Sequence, residues 1–281
     1  MSSHLFTSMD SSAPVSVVIP CYRCLQTIER AVHSVLLQTQ KPLELILVDD
    51  YSADGSIELL YQLQRSYPEI IRVIELEQNL GVANARNQGW QMAAQPYIAF
   101  LDADDAWHPK KIALQYAYMS THPEVALCGH ESKVLAAVDS IPSWDIDPKI
   151  TTQSISKTQL LLSNPFVTPS VMLKREIGER FNHNQRHMED HFLWLEVASN
   201  QGTISKLMVP LVATYKRPYG ESGLSSQLWS MQAGDLSNYW NLFKRNKIHT
   251  VQWVALSIFS CLKFMRRILT LALAYLQRVF D

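Results

Sequence analysis

The 281-residue sequence predicts an α/β chain wound on both sides of a mostly parallel sheet, with a helical extension at its C-terminal end. Three observations predict it. Aliphatic and β-branched runs recur at Val15 to Ile19, Leu43 to Val48, Ile70 to Leu76 and Tyr97 to Leu101, as in strands buried on both faces. Segments with helical apolar spacing separate these runs, giving four strand-helix units in the first 120 residues. Finally, the runs end in Pro20, in Asp49 and Asp50, and in the acids that follow Leu101, so polar residues collect at the strands' carboxyl ends, where sheets of this type bind ligands.

In order, VSVVI is closed by Pro20, and Thr27 to Gln38 then carries Ile28, Ala31, Val32, Val35 and Leu36 on one helical face. LELILV is ended by Asp49 and Asp50, and Ser56 to Tyr67 repeats the helical pattern through Ile57, Leu59, Leu60 and Leu63. A third strand over Ile70 to Leu76 leads to a helix from about Val82 to Ala94, and the fourth strand runs into the acids, with a helix near Pro109 after them. Beyond Pro123 the pattern loosens. A strand is expected near Val125 to Leu127, a loop over Asp139 to Thr152, a helix over Thr158 to Ser163, a strand over Ser170 to Leu173 and a helix over Asp190 to Ser199. Two further strands are expected at Thr203 to Met208 and Leu211 to Tyr215.

Composition bounds the function. A 47% hydrophobic, 18% charged chain with net charge −1 is an ordinary globular protein with no general affinity for nucleic acid. The N-terminal MSSHLFTSMDSSAPVS lacks a basic region followed by an apolar core, and no apolar run reaches the ~18 residues of a spanning helix, so a cytoplasmic chain is expected. Four cysteines are too few for a disulfide framework at this length. Cys21 and Cys24 form a C-x-x-C after the first strand, where a thioredoxin-type pair would sit; that unit would explain neither the acids nor the length, so two ordinary thiols are expected.

The chemistry centres on IAFLDADDAW, residues 98 to 107. Asp102, Asp104 and Asp105 repel one another, yet they follow a core strand directly, and Mg²⁺ or Mn²⁺ would relieve that repulsion using carboxylates, substrate phosphates and water. Taken alone, the cluster equally suits a solvated turn that caps the next helix. The first βα turn, VVIPCYRC, has no G-x-G-x-x-G, and no G-x-x-x-x-G-K-[ST] occurs, which disfavours a dinucleotide dehydrogenase and the common NTPases. Tyr22 offers an aromatic face to a base and Asp50 an acceptor for base or ribose donors, although Tyr22 alone equally suits packing.

The strings VSVVIPCY, LELILVDDYSADGS, QNLGVANARNQG and IAFLDADDAWHPKKI follow in order over residues 15 to 115, with HMEDHFLW further on. Together they resemble the glycosyltransferase family 2 pattern, and the resemblance covers about 15 to 215. It implies the GT-A fold, a Rossmann-like doubly wound sheet, over 15–220, with a nucleotide-binding half at 15–120 and an acceptor half at 121–220. Residues 1–14 are then a disordered tail and 221–281 a helical extension. Carried over, the resemblance puts the base of a nucleotide-diphosphate sugar, a UDP-sugar favoured, against Pro20, Tyr22 and Asp50, with Arg86 and Asn87 nearby. Asp102 and Asp104 become the D-x-D, Asp104 as direct ligand of Mg²⁺ or Mn²⁺ and Asp102 as ribose or sugar contact, with Asp105 orienting them.

Inverting transfer to a hydroxyl calls for a carboxylate opposite the leaving diphosphate. Glu189 and Asp190 match the family's ED pair, which assigns the base to Asp190 with Glu189 supporting it; an acid at a helix start is otherwise a cap or dipole partner. Thr168, Pro169 and Ser170 are placed at the acceptor site, and Lys216 and Arg217, with Gly220 and Gly223, suit either a loop closing over the diphosphate or an exposed basic loop. His183, His187 and His191, at i, i+4, i+8, lack an H-E-x-x-H and are expected at the surface or in the acceptor pocket.

The expected activity is metal-dependent, inverting transfer of one sugar onto a hydroxyl acceptor, possibly lipid-linked, in cell-surface polysaccharide, lipopolysaccharide or glycolipid synthesis. A Q-x-x-R-W motif and spanning helices, both found in the processive synthases, are missing. The alternatives are a noncatalytic nucleotide-sugar or partner-binding module, against which both Asp104 and Asp190 speak, and a sugar-1-phosphate nucleotidyltransferase, which should show a Gly-rich loop after strand one. Residues 249 to 280 hold Lys263, Arg266, Arg267 and Arg278 and no acid. On a helix, Gln252, Ser260, Lys263, Arg267, Thr270 and Arg278 oppose Trp253, Val254, Leu256, Leu269, Leu273 and Leu276. Such a face suits an anionic inner-membrane surface, a homodimer or the chain's own domain.

Overall fold

The computed structural model describes residues 12–136, 141, 143–200, 202–215 and 227–280, with side chains described to 270. Strands β1 (Ala13–Cys21), β2 (Pro42–Asp49), β3 (Ile71–Glu75) and β4 (Tyr97–Phe100) alternate with helices α1 (Ile28–Leu36), α2 (Ser56–Ser66) and α3 (Val82–Met92). They form the parallel half of one sheet in the order β3-β2-β1-β4. The chain leaves β1 toward β2 on one side and returns as β4 on the other, so a crevice opens between the carboxyl ends of β1 and β4, the switch point where α/β sheets bind ligands.

The remaining elements are β5 (Ala106–Trp107), α4 (Lys111–Thr121), β6 (Val125–Val134), β7 (Thr152–Ser154), α5 (Lys157–Leu162), a 3-10 turn (Thr168–Ser170), β8 (Met172–Lys174), α6 (Glu189–Ser199), β9 (Thr203–Thr214), α7 (Leu228–Lys244) and α8 (Thr250–Phe280). Antiparallel pairing of β8 with both β4 and β6 carries the sheet on through β6 and β9, with β5 and β7 along β9. The α/β architecture is as the sequence predicts, with a parallel first half and a mixed second half.

Alternation along the buried strands divides the core. Val15, Val17 and Ile19 of β1 face α1 and α4, while Val18 faces α3 and α6. Gly89 lets α3 approach closely, because a Cβ there would lie 2.4 Å from Val18 Cγ1. Two expected strands at 203 to 215 are in fact one. Pro210 does not end β9, because the ladder to β6 is irregular on both sides of the Glu131–Pro210 pair, and a bulge tolerates the missing N–H.

The histidine stripe is also corrected. α6 begins only at Glu189, so His183 and His187 precede it; His191 is 2% exposed, with Nε2 against the Leu160 carbonyl at 2.8 Å and Nδ1 4.0 Å from Asp235. It is a core residue. In the tail, Ser260 and Phe264 of α8 are buried against α7, whereas Val254 and Leu269 are exposed, so the predicted polar and apolar sides of this helix are not the ones it presents. No described helix is long and apolar enough to cross a membrane.

Candidate functional site

At the carboxyl ends of β1 and β2, Tyr22 sits at the tip of β1, 46% exposed, one residue beyond Cys21, whose carbonyl accepts from the Asp50 amide at 2.8 Å. Pro20 is buried beside Val48 in the β1–β2 register. Asp50 accepts from the amides of Leu80 and Gly81, both at 2.8 Å, and so pins the loop into α3; each carboxylate oxygen keeps acceptor capacity. Burial raises its pKa, the two amides opposing, with the Asp49 charge raising and the Arg186 charge lowering it further. Cys21 and Cys24 are buried free thiols beneath this edge.

The acids after β4 divide. Asp102 Oδ1 accepts from Arg86 Nη2 at 2.7 Å, and the Asp105 amide donates to the Asp102 carbonyl at 3.1 Å, closing the turn. Asp105 is buried, whereas Asp102 and Asp104 are partly exposed at its mouth. Arg30 holds the loop, donating to the Asp104 carbonyl at 2.7 Å with its guanidinium 3.8 Å from the Tyr215 ring. Tyr215, the residue after β9, is therefore held at this loop, and Lys216 and Arg217 lie outside the described residues.

Arg86 of α3 is the hinge of the arrangement. It is 4% exposed and its other amino nitrogen, Nη1, lies 3.0 Å from Glu189 Oε1, so one guanidinium joins the acid after β4 to the acid opening α6. This places Arg86 between two carboxylates. Asn87 points elsewhere, exchanging both amide bonds with the Phe181 backbone, Nδ2 to its carbonyl at 2.8 Å and Oδ1 from its N–H at 3.1 Å. Burial raises the Glu189 pKa to about 7, with the Asp190 charge adding to it and Arg86 opposing. Burial likewise raises Asp102 against the pull of Arg86.

Asp190, the second residue of α6, is more accessible than Glu189. Its Oδ2 accepts from Thr168 Oγ1 at 3.1 Å and its Oδ1 from the His191 amide at 2.6 Å. The 3-10 turn carrying Thr168 is itself tied to the acidic loop, since Trp107 Nε1 donates to the Pro169 carbonyl at 2.8 Å. Sequence reasoning missed what holds the ED pair. Met188, immediately before it, has φ +62°, and its carbonyl accepts from Asn238 of α7 at 3.0 Å. Gly234 of α7 packs so closely that a Cβ would lie 2.6 Å from the His187 carbonyl. A glycine and an asparagine within the expected helical extension were the available signals.

Among the described residues no group of three His, Cys, Asp or Glu side chains could hold a metal alone. Two acids suffice for Mg²⁺ or Mn²⁺ bound with a nucleotide diphosphate, and Arg86 takes only Oδ1 of Asp102. The donor set fits such an ion.

Residues 16–177 match the family described as glycosyl transferase family 2. The chain belongs to glycosyltransferase family 2. This family 2 glycosyltransferase is 33% identical over 218 residues to TuaG of Bacillus subtilis (strain 168), named for teichuronic acid biosynthesis, covering 76% of this chain and 82% of TuaG. It is 31% identical over 214 residues to WfaP of Escherichia coli, a UDP-Glc:alpha-D-GlcNAc-diphosphoundecaprenol beta-1,3-glucosyltransferase, covering 74% and 78%. The fold is shared with S. aureus TarS 1-349 in complex with UDP-GlcNAc (TM-score 0.64, 17% identity, 86% of this chain and 70% of that one). It is shared too with the mannosyltransferase PcManGT of Pyrobaculum calidifontis in complex with GDP-Man and Mn²⁺ (TM-score 0.62, 16% identity, 87% and 68%).

Proposed function

We propose that this glycosyltransferase moves one hexosyl or N-acetylhexosaminyl group, with inversion, from a UDP-sugar to a hydroxyl of a diphosphate-polyprenol-linked acceptor at the inner membrane face. The observation that carries the reading is the Arg86 bridge, which sets a donor-side acid, Asp102, and the ED pair against one crevice. The names of WfaP and TuaG support the acceptor and pathway class.

In this reading Tyr22 and Asp50 take the base, and Asp102 and Asp104 hold Mg²⁺ or Mn²⁺. The ion supplies charge neutralisation to the leaving diphosphate. Asp190 accepts the proton of the acceptor hydroxyl, its carboxylate held by Thr168 and the His191 amide. Glu189, clamped by Arg86, fixes the start of α6 and hence the position of Asp190. Lys216 and Arg217 supply cations over the diphosphate.

The test is transfer from a panel of UDP- and GDP-sugars to a GlcNAc-diphosphopolyprenol, with each metal, and the product anomer read by NMR. A Asp190→Asn variant should bind donor normally and lose transfer by roughly 10²–10⁴-fold. Asp104→Ala should lose metal-dependent donor binding. Full activity of Asp190→Asn, or a retained anomeric configuration, overturns the reading.

A further inference from the structure

α8 is arranged inside out. Its protein-facing side carries Ser260, fully buried, whose hydroxyl donates to Asp235 of α7 at 2.5 Å, and half-buried Lys263, 3.8 Å from the same carboxylate. Its opposite side exposes Val251, Val254, Ile258, Leu262, Met265 and Leu269, between 43% and 80% exposed, at steps of three and four residues. That spacing is one continuous helical face, about 27 Å long at 1.5 Å per residue. Ile258, Leu262 and Met265 of this face also line a groove of about 690 Å³ between α7 and α8, together with Trp240 and Trp253, and Trp229 of α7 stands 74% exposed.

Charge decides between the possible occupants. From 236 to 280 the chain has no acid; Arg245 pairs with Glu196 and Lys263 with Asp235, while Arg266 is exposed at the margin of the stripe. A second copy would bring the same patch to itself, cation toward cation. Nor does the stripe resemble a coiled-coil seam, because the residues beside it, Ala255 and Phe259 on one side and Ser257 and Cys261 on the other, include none of the charged pairs that set partner choice. A wide apolar face, flanking cations and exposed tryptophans match the depth profile of an anionic lipid surface: acyl chains under the stripe, headgroups at the cations, rings between.

We propose that the exposed face of α8, with the adjoining α7 groove, is a docking surface for an anionic bilayer. The inference stands on the helix pair alone and holds whatever sugar is transferred. α7 grips the Met188 carbonyl through Asn238, so docking through this pair sets the ED pair at a fixed height above the lipid.

Co-sedimentation of the full chain with phosphatidylcholine vesicles, with and without phosphatidylglycerol, tests this. The chain should pellet with the anionic vesicles and much less with the neutral ones. Ile258→Asp combined with Leu262→Asp, at exposed positions, should abolish pelleting while the thermal melt stays unchanged. Arg266→Glu should weaken binding roughly fivefold or more, the equivalent of about 1 kcal/mol per cation near the surface. Equal pelleting with both lipids, wild-type pelleting of the double variant, or a solution dimer that the double variant dissociates without any vesicle binding each overturn the proposal, the last in favour of a second copy.

Discussion

The side-chain amide of Asn238 donates to the carbonyl of Met188 at 3.0 Å, joining the C-terminal helix pair to the residue that precedes the acid pair. Asn238 is fully buried and also accepts from Gln185 Nε2 at 2.7 Å, so both ends of its amide are used. Met188 holds a left-handed backbone, a conformation of some energetic cost that its surroundings must maintain.

Asn238→Ala removes two buried hydrogen bonds, although the Met188 carbonyl keeps the Phe192 amide and Gln185 Nε2 keeps the His187 carbonyl, so a loss of about 1–3 kcal/mol is expected by denaturant melt. Transfer should fall further than donor binding, because the displaced residues lead into Glu189 and Asp190. Donor affinity by calorimetry, beside kcat, separates the two; a matched fall in both would argue against a positioning role.

Arg86→Ala leaves Glu189 and Asp102 without their shared cation. Removing one partner of a buried pair costs about 3–5 kcal/mol. Glu189→Gln in the same chain removes one of the two stranded charges, so the double variant should melt above Arg86→Ala when both are measured at pH 8.

Glu189 predicts a pH dependence of stability. Its pKa in the folded chain is about 7 against an ordinary 4.5, so between these values the native state holds a proton that the unfolded state has lost. Its contribution is therefore greatest below pH 4.5 and is lost as pH rises through 7. Glu189→Gln should flatten the melting temperature against pH over this window; an unchanged slope would assign the dependence to other groups.

Lys111 gives the opposite case. It is fully buried, its Nζ has no hydrogen-bond partner and lies 3.8 Å from the Trp107 ring centroid, and burial drives its pKa well below the usual lysine value of 10.5. Between its folded and unfolded pKa values the unfolded chain binds the extra proton, so stability rises with pH at up to about 1.4 kcal/mol per pH unit. Lys111→Met removes this penalty. The variant should be at least as stable as wild type at pH 7, with an advantage that shrinks toward pH 10.5 in paired melts.

Breaking the bond from Trp107 tests how the Thr168 turn is held. Trp107→Phe leaves the Pro169 carbonyl without its 2.8 Å partner and loosens the turn that presents Thr168 to Asp190. The expected signature is a higher KM for acceptor with donor affinity nearly unchanged.

The parallel half of the sheet was legible because strands buried on both faces are written as unbroken apolar runs, as in LELILV. β7 could not be read that way, for Thr152, Gln153 and Ser154 are all exposed and carry no apolar signal, and β5 spans two residues. Motif strings located Asp50, Asp102, Asp104, Glu189 and Asp190 by residue type, but not what each touches. Arg86 and Asn87 are adjacent in one string, yet successive helix positions diverge by about 100°, and their side chains serve different neighbours. Asn238 lies 48 residues beyond Asp190, where no motif reaches.

The Arg86 bridge also limits how this chain can be recombined. Its three members come from α3, from the turn after β4 and from the start of α6, on both sides of residue 120. A chimera that exchanges one half with a relative inherits half of a buried charge balance unless positions 86, 102 and 189 travel together.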